Sequence, residues 1–163
     1  MYTDLLQTFA EVAATLAGFI GVVFVLGRRS EGHLTARESS ALFHLLFTAL
    51  GALFFSLVTP LFLGSTVDEN VVWRVANGAS GLYHLLGVGR ASLEALRGHF
   101  GVPKAFTWML FSGSYTLIPA NFATAAGYFP EVAPIVFMLG LIWFLVVTAV
   151  TFVSLLSMGG RAA

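Results

Sequence analysis

The sequence predicts an all-α, polytopic membrane bundle of five helices. Three observations predict it: 58% of the 163 residues are hydrophobic, only 10% are charged, and the apolar residues fall into five runs of membrane-spanning length. A soluble domain carries about a quarter charged residues. It also has too little interior at this size to hide the sixteen phenylalanines. A bilayer reverses the requirement, because the outer surface of the protein must then be apolar.

The first run covers residues 5–27 and is closed by Arg28 and Arg29. Only Asp4 precedes it among charged residues, and the run is longer than the apolar core of a secretory signal, so it is expected to be retained as a first span. The second covers 40–63, with Pro60 in its last turn, where a missing amide hydrogen bond is tolerable. The third, 71–93, is the most polar, with Arg74, Asn77 and His84. The fourth covers 105–127 and contains Pro119; the fifth, 132–157, is the most uniformly apolar. The segment 94–104 is read as a connection that extends the third helix until Gly98 and Gly101 stop it. No soluble domain, internal repeat or low-complexity tract is visible, and 1–163 is read as a single transmembrane domain.

Charge placement fits five crossings. Arg28, Arg29 and Arg37 flank the first connection, Arg90, Arg97 and Lys104 the third, and Arg161 follows the last run. The alternate connections carry Asp68, Glu69 and Glu131, with only Arg74 on the basic side. Lys and Arg mark cytoplasmic loops. The pattern predicts an external N-terminus, an internal C-terminus and a multi-pass protein of a cell membrane, here the bacterial inner membrane.

Composition also excludes functions. Net charge is zero and no basic run exists, so nucleic acid is not expected as a partner. Without cysteine there is no disulfide, thiolate metal site or cysteine nucleophile. No phosphate loop, no His-Glu-x-x-His metal spacing and no nucleophile–base pair is present, so no enzyme and no metal is expected.

Polar residues inside the runs are the candidate functional positions, since ionisable groups in hydrocarbon are costly and are kept for a reason. Asp4, Thr8, Glu11 and Thr15 follow a 4,3,4 spacing that continues through Gly18, Val22 and Val25 and keeps to one helical face. Small residues on the same helix, Ala10, Ala14, Ala17, Gly18 and Gly21, admit a close neighbour. The face is read either as the lining of a wet path or as a tight helix–helix seam. By depth, Glu11, Arg74, Asn77 and Asn121 fall in one outer layer and are expected to form a polar cluster, either a structural clamp or an ion site. His44 and His84 fall at matching depth in the inner half. They are candidates for a haem or proton site, against the plainer reading of histidines hydrogen-bonded to Thr48, Tyr83 or a backbone carbonyl. Trp73, Trp108, Tyr2 and Tyr128 lie near run ends, as interfacial aromatics do.

The stretches FAEVAATLAGFIGVVFVLGRR, LGALFFSLVTPLFLG and VVWRVANGASGLYHLLG resemble a group of small bacterial multi-pass membrane proteins with no assigned function. The resemblance covers the first half of the chain and implies only a small bacterial membrane protein.

Three functions are expected in order. The first is a homo-oligomeric cation channel or pore-like transport protein lined by Asp4, Thr8, Glu11 and Thr15, since five helices enclose too little space for a path within one chain. The second is a structural or accessory membrane subunit. The third is a bis-histidine haem b or pH-sensing protein built on His44 and His84. No cofactor is expected under the first two, and the partners are membrane lipid, further copies of the chain and ions.

Overall fold

A computed structural model of the chain describes residues 2–27, 35–100, 102 and 104–159. The described residues form five long helices: α1 (Tyr2–Gly27), α2 (Ala36–Leu63), α3 (Glu69–Leu96), α4 (Lys104–Ala125) and α5 (Ala133–Gly159), with a single 3-10 turn at Pro130–Val132. No strand occurs among them. Three segments are long and apolar enough to cross a membrane: Tyr2–Val22, Ala36–Leu63 and Pro130–Ser157.

The helices start and stop where local chemistry directs. Thr35 begins α2 with a capping box: its hydroxyl accepts from the Glu38 amide, and the Glu38 carboxylate accepts from the Thr35 amide. Asp68 caps α3, accepting from the amides of Asn70 and Val71 at 2.9 and 3.3 Å. Its charge also opposes the positive end of the helix dipole. Asp68→Ala is expected to cost about 1 kcal/mol, read as a small fall in melting temperature in detergent with helix content unchanged. At the other end of α3, Gly98 adopts φ +71°, which lets its own amide and that of His99 return to the carbonyls of Ala95 and Glu94. Gly127, at φ +94°, closes α4 in the same way. Arg74 adds a side-chain bond from Nε to the Ala125 carbonyl, 3.0 Å, placing a cation at that helix terminus.

α5 is the centre of the bundle. Phe137, Leu141, Phe144, Thr148 and Thr151 repeat at 4,3,4,3 and are almost entirely buried, the seam expected of a helix surrounded by others. α5 packs on α2, α4, α3 and α1, while α1 lies against α2 and α5. Cross-contacts give the directions. His44 near the start of α2 meets Glu94 near the end of α3, so these helices run antiparallel. Asn77 early in α3 meets Ala133 at the start of α5, so these run parallel. Close approach occurs where glycine allows it: a methyl on Gly81 would stand 3.0 Å from Asn121 Cβ.

Aromatic rings form a ladder along the interior. Phe43 and Phe47 stack at 5.6 Å, Phe47 and Tyr83 at 4.0 Å, and Tyr83 meets Phe55 edge-on at 5.6 Å. Phe55 then meets Phe137 at 6.3 Å, Phe137 meets Trp73 at 5.8 Å, and Trp73 meets Tyr2 at 5.5 Å. Offset and edge-to-face pairs of this kind stabilise beyond the area they bury. Large apolar side chains cover the outside as well, among them Leu61, Val75, Leu82, Leu86 and Val153.

The expected runs match the helices in number and order, but several details change. α2 starts four residues earlier than 40 because its capping box lies at Thr35; α3 runs past 93 to Leu96, in line with the expected extension toward Gly98, so Glu94 is helical. Trp73 is 2% exposed and donates from its indole to Glu69. It is a core residue, because α3 turns it toward α5 and α1. Of the Phe54–Phe55 pair, only Phe55 is buried. Arg28, Arg29, Gly101 and Arg161 lie outside the described residues, as do the side chains of Val25 and Lys104.

Candidate functional site

The polar face of α1 points away from the bundle. Asp4, Thr8, Glu11, Thr15 and Gly18 are all exposed, while Leu6, Ala10, Ala13 and Ile20 form the opposite, buried stripe. Thr8 donates to the Asp4 carbonyl at 3.1 Å and Thr15 to the Glu11 carbonyl at 2.8 Å, so both hydroxyls are satisfied within the helix. The Glu11 carboxylate accepts from Gln7 Nε2 at 3.1 Å. Gly18 and Gly21 leave open space, with nothing within 4 Å of where a Cβ would sit. α1 thus carries two stripes of similar period: the apolar one packs inward, and of the small residues Ala14, Gly18 and Gly21 stay on the exposed side.

The expected outer cluster does not assemble within one chain. Glu11 is on the outward face of α1, and Arg74 binds the end of α4. Asn77 donates from Nδ2 to the carbonyls of Trp73 and Ala133, at 2.8 and 2.9 Å, and Asn121 donates to the Leu117 carbonyl at 2.8 Å. No hydrogen bond joins any two of the four among the described residues. Both asparagines are fully buried, and the helix rotations separate them from Glu11.

The two histidines do share a site. His44, His84, Thr48, Ser114, Phe144 and Thr151 line a cavity of about 50 Å³ between α2, α3, α4 and α5. His44 Nε2 lies 2.9 Å from the Glu94 carboxylate. The same carboxylate accepts from the Ser40 hydroxyl, and its second oxygen accepts from Arg90 Nε at 2.9 Å. Arg90 in turn covers the Phe43 ring at 3.7 Å. Thr48 and Thr148 hydrogen-bond across the α2–α5 seam at 2.8 Å.

Burial by itself would raise the Glu94 carboxyl, but the hydrogen bonds from Ser40 and His44, the charge of His44 and the bond from Arg90 outweigh it. The group is held below its ordinary value of 4.5. Its partners were not legible from spacing alone, because Glu94 was assigned to a connection. Two signals pointed to it: Arg90 and Glu94 stand four apart, and an antiparallel pairing of α2 and α3 puts residue 94 at the depth of His44.

His84 is placed differently. It is 4% exposed, its ring stacks on Phe144 at 4.0 Å, and neither ring nitrogen meets a side-chain partner. The plainer expectation of a bonded histidine is met in part: the Ser80 backbone carbonyl, one turn back, acts on the His84 ring, whereas the His44 ring has a carboxylate partner in place of Thr48, Tyr83 or a carbonyl. A haem does not fit between them. Pockets for ligands of that class measure roughly 300–1,000 Å³, and one coordination edge of His44 is already occupied by Glu94.

No group of three or more His, Asp or Glu side chains arranged for a metal ion occurs among the described residues. Comparison with family models, with curated proteins and with solved structures finds no match to the chain.

Proposed function

We propose that this chain is a homo-oligomeric membrane protein whose α1 helices face one another around a cation path. All five helices cross the bilayer in this reading, with the N-terminus outside and the basic connections inside, following the charge bias of the loops. One observation carries the proposal. Glu11, between Thr8 and Thr15 on a helix apolar enough to span, is turned away from its own bundle. A carboxylate facing hydrocarbon is unfavourable by a few kcal/mol even when snorkelling relieves part of the cost. A symmetric ring of α1 helices removes that cost by giving Glu11 a hydrated interior, and the open sides of Gly18 and Gly21 leave room for the backbones to approach. Repeated carboxylates at such a mouth favour cations.

The same outward stripe supports a second reading, an accessory subunit whose α1 docks on a larger foreign chain. Mass measurement of the purified particle separates the two. Multiples of one chain support the ring, and a monomer that recruits a different chain from native membranes supports the accessory role.

For the ring, Gly18→Leu is expected to shift the particle toward monomer while leaving helix content and melting of the protomer unchanged, because its site is open within one chain. Glu11→Gln is expected to keep the assembly but lower cation-over-anion selectivity several-fold in planar bilayers or liposomes. Wild-type flux no greater than that of empty liposomes would remove the channel reading.

A further inference from the structure

We infer that each protomer contains a hydrated, proton-exchanging half-channel that leads from Glu94, at the end of α3, to His84 in the middle of the bundle. Its ligand is a short chain of water molecules with the exchangeable proton they carry. It lies inside one chain and does not depend on the ring of α1 helices.

The first support is a set of buried polar atoms without partners. A ring nitrogen of His84, the hydroxyls of Ser80 and Thr151, and the side-chain carbonyls of Asn77 and Asn121 have no protein partner. The side chains of Asn77, Asn121 and Ser80 are completely buried, Thr151 is 1% exposed and His84 4%. The Ser80 backbone carbonyl, one turn back, can bond one nitrogen of the His84 ring and leaves the other without a protein partner. An unpaired buried polar group costs about 1–3 kcal/mol, and native structures meet such groups with water when space permits.

Convergence is the second support. A methyl on Gly140 would stand 3.6 Å from His84 Cε1, 3.6 Å from Ser80 Oγ and 3.8 Å from Asn121 Nδ2, so these three side chains meet at one place beside α5. The cavity supplies the space, since about 50 Å³ exceeds the ~10–15 Å³ that one ordered water needs. His44, His84 and Thr151 line it together with aromatic rings, with Ser80 and Asn121 outside it, and His44 bonds Glu94.

Along α3 the inward positions Asn77, Ser80, His84, Val88 and Ala91 lead to Glu94. At ~1.5 Å per residue the distance from Asn77 to Glu94 is about 25 Å. A bilayer's hydrocarbon is about 30 Å thick.

The charged and titratable groups around the path are few. α2 contributes His44, and α3 contributes Glu94 and Arg90 beside it. From α4 and α5 come only neutral side chains, Ser114, Asn121, Thr148 and Thr151. A proton enters at Glu94, passes to His44 and through water to one nitrogen of His84. It leaves by the reverse route. Each transfer makes one N–H or O–H bond and breaks another, with no redox partner. Chains of carboxylate and imidazole serve in this way in membrane proton relays.

The test uses the full chain in liposomes, labelled with ¹⁵N-histidine and ¹⁵N-phenylalanine and observed by water-edited solid-state NMR. Magnetisation from water is expected to reach the His84 ring several-fold faster than the Phe137 amide in the dry core. His84→Leu assigns the signal by its loss. His44→Phe, which fills the Glu94 side of the cavity with a ring, is expected to slow the transfer to His84 several-fold. Thr151→Val, nearly equal in size, removes one hydroxyl and is expected to slow it less. A His84 ring as slow as Phe137 overturns the proposal, and so does a rate unchanged by His44→Phe in a protein of normal melting temperature. Glu11→Gln, which tests the ring of α1 helices, is expected to leave the His84 signal untouched.

Discussion

Glu94→Ala is expected to destabilise the protein by about 3 kcal/mol, the largest loss from any single polar side chain in the bundle. The size follows from what the change leaves behind. Ser40 and His44 are 4% and 6% exposed and both bond the Glu94 carboxylate, so truncation leaves two buried polar groups without their charged partner. Arg90 adds little, being half-exposed and screened. Thermal unfolding in detergent should show the fall, with Glu94→Gln losing clearly less because an amide still accepts from Ser40. Equal melting temperatures for Glu94→Ala and wild type would remove the network as a stabilising feature.

The same carboxyl predicts the sign of an acid response. Its folded value lies below 4.5, so its contribution is complete above the ordinary carboxylate range and is lost as pH falls through the folded value. Stability should therefore drop below about pH 4.5 in wild type and drop less in Glu94→Gln.

Gly113→Val is expected to cost about 2–4 kcal/mol, combining overpacking with a broken hydrogen bond. Any Cβ at residue 113 would overlap the benzenoid edge of Trp143. That ring cannot simply turn aside, because its indole N–H donates to Ser114 at 2.9 Å on the neighbouring residue of α4. The measurement is a lowered melting temperature together with a red shift of Trp143 emission as the indole loses its packed position. Trp143→Phe in the same background should recover part of the loss by removing the overlapping edge. If Gly113→Val melts as wild type does, α4 and α5 are not packed through this contact.

Much of the architecture could be read before any coordinates. Five apolar runs became five helices because length and polar punctuation, such as Asp68 before α3 and Gly127 after α4, are local properties. The ends moved where capping chemistry lay outside the apolar run, as at Thr35, or where a helix outlasted it, as at Glu94. Candidate sites fared according to whether they depended on depth or rotation. Depth follows from counting residues, and it brought His44 and His84 to the same cavity. Rotation depends on which of two stripes a neighbour selects. On α1 the stripe of Leu6, Ala10, Ala13 and Ile20 won the inward position, since burying an apolar face costs less than burying Glu11. That choice separated Glu11 from Asn77 and Asn121.

The row of rings from Phe43 to Tyr2 has a mechanical consequence. Each plate has two torsions and is wedged between the next pair, so sliding α2 past α3 or α5 would require several of them to flip together. The middle of the molecule therefore behaves as a keyed shaft. α1 stands at the end of that row: it joins through Tyr2, and a separate edge-on pair, Phe19 with Phe152 at 5.5 Å, ties it to α5.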